Sequence, residues 1–436
     1  HQMQRNSHVK HQKSEKSCCN SFVQLIHMII IAITMTPNLI YSVSVNALQV
    51  ELNAIFNNPQ LNYLSYMLTA IPNIFTLLIF SLLIDTFNVI AVYPCLQAIN
   101  IVATALSIIA VDIKSSGLYL ASRVIYGIAG EAALVCQVKS VTQVIKKEWL
   151  AVGLGFVYAG QVLGELLAVL CLPVVNAFYS YILIICLQVL SLISTICYGQ
   201  LIKRKEDRKK MRQTIVYMDD PILQKKESKI GKECKNVLKQ VKGLSIAYWA
   251  MATMKFLHTG VIKVYDSRQV KSMTVIYSVT SAEAKTTQVY ESAMCAATLL
   301  IMAFLSYFVK KIQYFAWFSN IGAAAAMLIE ALGGANRPYG QYLAQNLLFG
   351  FSNGCFIATS SALVVLIAGG NLGGSAVGLV FSVKYIVITI LTPVCDAIAG
   401  DGHDLYKQSL NGWLFFALCL FAFFCTTFVM FKTKGW

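Results

Sequence analysis

The feature that most constrains this chain is the recurrence, from one end to the other, of apolar runs about 20 residues long, each enough to cross about 30 Å of hydrocarbon as a helix. Hydrocarbon offers a peptide group no hydrogen-bond partner, so only helices or closed barrels can span it, and unbroken rather than alternating runs select helices. Twelve spans are predicted, at about 22–46, 61–83, 88–111, 117–141, 150–173, 178–202, 243–263, 289–309, 312–333, 339–367, 373–396 and 411–431. Composition agrees: 13% of residues are charged, against about 25% in soluble domains, and the mean hydropathy is +0.63, which excludes a water-soluble fold. The fold class expected is an all-α membrane protein. Its 13 cysteines, among them Cys95, Cys136, Cys171, Cys186, Cys197, Cys295, Cys355, Cys395, Cys419 and Cys425 in or beside apolar runs, form no metal spacing and no disulfide framework, and read as packing residues.

Polar segments divide the chain into a tail (1–21), a six-span half (22–202), a linker (203–242), a second six-span half (243–431) and a short tail (432–436). The linker holds 14 Lys/Arg against 6 Asp/Glu. Lying between spans, it reads as a solvated segment and not as a nucleic-acid binder. Arg5, Lys10, Lys13, Lys16, Lys146, Lys147, Lys310, Lys311, Lys432 and Lys434 fall on the same side, whereas 47–60 has no Lys or Arg; 263–291, read as a loop of mixed charge, alone breaks the trend. The positive-inside rule then puts both termini and the linker in the cytosol. No cleavable signal peptide is expected, because the first apolar run has span length and no small-residue cleavage site. Cys18 and Cys19 abut the first span, as palmitoylation candidates or plain juxtamembrane thiols. No Asn-x-Ser/Thr acceptor occurs.

Ionisable groups at bilayer depth are costly, and a functional role with a named partner is the starting assumption. Glu131 lies mid-way along the fourth span among Gly127, Ala129, Gly130 and Ala132; Glu165 follows Gly160, Gln161 and Gly164 in the fifth; Lys384 precedes Tyr385 at the centre of the eleventh. One reading is a buried ion pair that only ties the halves together. Two acids against one lysine leave a carboxylate over, which points to a cationic or amine-bearing solute. The substrate-binding set expected is therefore Glu131, Gln161, Glu165 and Lys384, with Gln137, Lys255, His258, Asn346, Asn353 and Tyr385 as further cavity candidates. His258 also reads as a satisfied core histidine, and Asn346 and Asn353 as interhelical hydrogen-bonding groups. Snorkelling accounts for Asp112, Arg123, Glu330 and Arg337. No nucleophile–base pair, metal motif or cofactor signature is present, so an enzyme is not expected.

The six-plus-six layout about a basic linker resembles the major facilitator superfamily, whose halves are pseudo-twofold repeats around a central cavity. Finer similarity lies in Ala47-Leu48-Gln49, Ile71-Pro72-Asn73 and Leu82-Leu83-Ile84-Asp85-Thr86-Phe87-Asn88-Val89, in Gly130-Glu131 followed by Gln137, Lys146, Gly155 and Gly164, and in Ala376-Val377-Gly378-Leu379 with Ser382. These resemble the major facilitator superfamily domain-containing protein 1 family. The resemblance implies a twelve-helix carrier of the lysosomal membrane that exports dipeptides, cationic ones preferentially, by uniport, with a glycosylated single-span accessory protein. It makes Glu131 the binding-site glutamate; the family's fifth-span arginine is replaced by Val162, beside Gln161, and its Asp-Asn-Pro by Val43, Ser44 and Val45. Asp85 resembles the acid of the superfamily's gating motif, with Thr86 where an arginine is usual, and reads as a conformational latch.

Three functions follow. A carrier that rocks its halves about a midplane site leads. A proton-coupled porter of another small solute, an amino acid, sugar or organic cation, with Glu165 carrying the proton, is second. A transport-inactive scaffold of the same fold is third.

Overall fold

The computed structural model describes residues 2–58, 61–87, 89–145, 149–216, 243–309, 311–332, 339–368, 373–399 and 405–432. The chain runs through α1 (Gln2–Ala47), α2 (Gln49–Phe56), α3 (Leu61–Thr86), α4 (Val89–Asp112), α5 (Ser116–Val144), α6 (Leu150–Cys171), α7 (Ala177–Val216), α8 (Ile246–Ile276), α9 (Ser281–Phe308), α10 (Gln313–Ala331), α11 (Tyr339–Ala368), α12 (Gly373–Ala399) and α13 (Leu405–Lys432). All but the short α2 are membrane spans. Ten are long and apolar enough to cross a membrane on composition alone, and α8 and α10 complete the twelve. Those two are more polar for a reason: Lys255, His258 and Gln269 on α8, and Ser319, Asn320 and Glu330 on α10, are buried against protein, where lipid does not reach them.

The sequence reading is corrected at several points. Residues 263–291 are no loop: α8 continues to Ile276 and α9 begins at Ser281, after a capping box in which Thr280 and Glu283 satisfy each other's backbone amides. The polar residues that suppressed the hydropathy of this segment lie on helices that meet a cleft. The backbone of 2–21 and of 203–216 extends α1 and α7 as helix. Linker residues 217–242, Lys146, Lys147 and Arg337, and the side chains of Cys18 and Cys19, fall outside what is described. Arg123 and Glu330 do not snorkel, being 1% exposed each, whereas Asp112 is exposed.

Within each half the helices pack in the same pattern. In the first, α1 packs on α6 and α7, α3 on α5, and α4 on α5 and α7; in the second, α8 packs on α12 and α13, α9 on α11, and α10 on α11 and α13. Across the halves, α3 meets α12 and α6 meets α9, again a symmetric set. Core packing shows where the halves join. One buried cluster unites both of them at the end carrying the N-terminus of α1, here termed the terminal face, with Val141, Leu150 and Val152 of the first half beside Tyr248, Leu299 and Val380 of the second. Toward the opposite face each half has its own cluster, built around Tyr41, Tyr119 and Tyr181 in one and Tyr265, Met327 and Phe415 in the other. The halves are closed together at the terminal face and part toward the opposite one.

Lipid tails are as apolar as leucine, so helices in a bilayer gain by close packing more than by hydrophobic burial. Gly160 and Gly164, four apart on α6, supply that approach: a Cβ at Gly160 would stand 2.6 Å from the Ala32 carbonyl oxygen of α1, and one at Gly164 2.8 Å from that of Thr36. Gly160→Ala should therefore lower the melting temperature, overpacking costing about 1–3 kcal/mol. Gly117→Ala, where a Cβ meets nothing within 4 Å, should hold or raise it, since alanine exceeds glycine in helix propensity by about 1 kcal/mol. Opposite signs in a thermal-shift measurement are the expected outcome.

Candidate functional site

The space between the parted halves is a cleft lined by Asn46 of α1, Tyr66 of α3, Glu165 of α6, Lys263 and Asp266 of α8, Glu291 and Ser292 of α9 and Asn353 of α11. Lys263 Nζ donates to Glu165 Oε1 at 3.0 Å and lies 3.8 Å from Asp266 Oδ2. Both partners of the first pair reach solvent, with side chains 42% and 27% exposed. Glu165 is thus not a surplus acid beside Lys384; its counter-charge is Lys263, which the loop reading of 263–291 hid.

Deeper, Lys384 Nζ of α12 donates to Glu131 Oε2 of α5 at 3.4 Å, with side chains 8% and 17% exposed. A tight charge-assisted contact is about 2.7–2.9 Å, so this pair is loosely held. The Lys384 ammonium also sits over the rings of Phe381 at 4.8 Å and Tyr385 at 4.4 Å, which orient it independently of the glutamate. The structure brings Glu131, Lys384 and Tyr385 together, and Glu165 and Asn353 together in the cleft. Gln161 is half-buried one turn before Glu165, and is not among the cleft-lining residues.

The other candidates hold helices together. Gln137 Nε2 donates to the Ile31 carbonyl at 2.7 Å and the Tyr93 hydroxyl at 2.9 Å, inside the first half. His258 Nδ1 pairs with Asn320 Oδ1 at 2.8 Å and the ring stacks on Phe356 at 3.7 Å. Asn346 donates to the Tyr342 carbonyl at 2.9 Å and accepts from Gln269. Lys255 bonds Ser361, whose hydroxyl donates at 2.6 Å to Tyr158 OH of the other half. Arg123 went unread as a structural centre: it donates to the Tyr41 carbonyl at 2.9 Å, Ser44 Oγ at 2.9 Å and Tyr119 OH at 2.7 Å, and lies over the Tyr41 ring at 4.3 Å. The Tyr119/Arg123 spacing of one helical turn was the sequence signal for it.

At the terminal face Asp85 ends α3 beside the N-terminus of α12. Its Oδ2 accepts from the Ser375 amide and hydroxyl, both at 2.6 Å, and its Oδ1 from the Gly374 amide at 3.2 Å and from Lys139 Nζ of α5 at 2.7 Å. A carboxylate from one half therefore caps a helix of the other, where the macrodipole favours negative charge.

Two six-helix repeats, closed at one face and parted at the other around charged groups, define the fold of a membrane transporter. A family model described as Major Facilitator Superfamily matches residues 18–392, and the chain belongs to that family. Solved structures share the fold at low identity. The bacterial homologue of the iron transporter ferroportin, in its outward-facing state with soaked iron, has a TM-score of 0.68 at 11% identity, covering 92% of this chain and 98% of that one. The transporter FucP in the outward conformation, a fucose:proton symporter of E. coli, has a TM-score of 0.64 at 15% identity, covering 92% and 99%. The human organic anion transporter MFSD10 (TETRAN) has a TM-score of 0.64 at 10% identity, covering 90% and 98%. No curated protein sequence matches the chain.

Proposed function

We propose that this chain carries small zwitterionic solutes by alternating access, dipeptides with a cationic side chain foremost, from the lysosomal lumen to the cytosol. One observation supports the substrate class. Two ion pairs join the halves, Glu165–Lys263 in the cleft and Glu131–Lys384 in the interior, and each takes the carboxylate from the first half and the lysine from the second. A solute with an ammonium and a carboxylate can replace the partner on each side, its ammonium facing the first half and its carboxylate the second, and so draw the halves together. The positive-inside reading places the terminal face in the cytosol, which makes the open cleft lumenal. The resemblance to the domain-containing protein 1 family implies uniport, the alternative to a proton-linked cycle, and adds the glycosylated single-span partner, which fits a chain lacking acceptor sites of its own.

Uptake of lysyl-alanine into proteoliposomes containing the purified chain tests this. Lysyl-alanine should enter, and its N-acetylated and C-amidated forms should enter at least tenfold more slowly. Flux of free amino acids or sugars without dipeptide flux would replace the substrate, and no flux for any solute would leave a scaffold. A proton-coupled cycle is the second reading, and one group in the cleft favours it.

A further inference from the structure

Glu291 is the cleft's unbalanced charge. It lines the cleft yet is only 6% exposed, and its side-chain partner is neutral, the Gln269 amide, whose Nε2 donates to Oε2 at 2.6 Å. Among the described residues no basic nitrogen lies within ion-pairing distance of it. Glu165 of α6, Lys263 and Asp266 of α8 and Cys295 of α9 line the same cleft, and Tyr265 of α8 and Tyr342 of α11 are near enough to act on it electrostatically. The one cation in that set, Lys263, already serves Glu165 and Asp266. Gln269 adds a second sign. Its Nε2 also donates to Asn346, while its Oε1 is buried without a donor, so this group of side chains holds an acceptor too many.

A buried carboxylate with amide partners and no cation is costly, and a bound proton removes that cost. We propose that Glu291 is a proton-binding site opening on the cleft, occupied in the cleft-open state, and that the transport cycle is linked to this proton. The proton comes from water in the cleft and returns to water when the site next opens to solvent, so no other reactant is needed. The structure thereby moves the proton-carrying role from Glu165, which has its lysine, to Glu291. The inference rests on the carrier reading for its purpose, not for its chemistry.

Two measurements separate those parts. Infrared difference spectra of the full chain in liposomes, without solute, should show at neutral pH the carbonyl band of a protonated carboxylic acid that shifts in heavy water. Glu291→Gln, which retains size and hydrogen bonding, should remove it; Glu165→Gln and Asp266→Asn should keep it, as should Gln269→Leu, which removes the amide but leaves the carboxyl. A band that survives Glu291→Gln, or is absent from the wild type, overturns the site whatever is transported. With lysyl-alanine as the probe, solute-driven acidification reported by a lumenal pH dye should be lost in Glu291→Gln. Dipeptide flux with no proton movement in the wild type overturns the linkage while leaving the carrier reading intact, and absent flux with the band present fails only that reading.

Discussion

Asp85→Ala should reduce lysyl-alanine uptake by about 100-fold or more and shift the molecule away from the state closed at the terminal face. Asp85 gathers four donors from two helices of opposite halves, α5 and α12, and its side chain is 1% exposed. Removing it deprives Lys139, itself 6% exposed, of a carboxylate 2.7 Å away and takes the cap from the first turn of α12. Breaking one side of a buried pair costs about 3–5 kcal/mol, enough to move a two-state equilibrium by at least about 100-fold. The loss falls on this state, because Asp85 of α3 caps α12 where the halves are closed together at the terminal face. Labelling of a cysteine placed at Tyr158, buried where the halves join, by an impermeant maleimide from the terminal side should rise accordingly. A structural role alone makes a different forecast. In Asp85→Ala/Lys139→Met both members of the buried pair are gone, so the melting temperature should recover; uptake should not, since the cap between halves is still missing. Uptake that returns with the melting temperature would reduce Asp85 to a fold-stabilising residue.

The spans were legible because hydrocarbon leaves few solutions: Leu82 to Asp85 or Phe421 to Phe424 can be read without knowing any neighbour. What escaped was legible only in three dimensions. Lys263 and Asp266 looked like loop residues because charge lowers hydropathy whether a helix faces water outside the membrane or a wet cleft inside it. Once α8 runs to Ile276, both point into the site. Counting charges by depth set Lys384 against one of two mid-span glutamates without saying which; the structure pairs it with Glu131, and Glu165 with Lys263, a lysine that the sequence had assigned to a loop. Arg123 was read from its closeness to a helix end, where a long side chain can reach water. Its tyrosine partners come from α1, α5 and α7, and only Tyr119, one turn away on α5, had a one-dimensional signature.

The second large effect concerns the Glu131–Lys384 pair between α5 and α12. Glu131→Gln should lower lysyl-alanine transport tenfold to hundredfold with little change in melting temperature. The loss corresponds to one hydrogen bond to a charged group, about 1.5–3 kcal/mol. Stability changes little because Lys384 keeps its place over Phe381 and Tyr385 without the glutamate. Lys384→Met should be the more destabilising change, as it leaves Glu131 facing apolar and aromatic groups. Combining them discriminates between a structural tie and a substrate site. If the pair only holds α5 against α12, Glu131→Gln/Lys384→Met restores both melting temperature and uptake, since replacing both members of a buried pair is often neutral or stabilising. If the carboxylate meets the solute's ammonium and the lysine its C-terminus, stability returns and transport does not. Lys384→Met should in addition erase the preference for lysyl-alanine over its C-amidated form, because the group that distinguishes them is gone. Equal losses for both peptides would show that Lys384 holds the halves and never touches cargo.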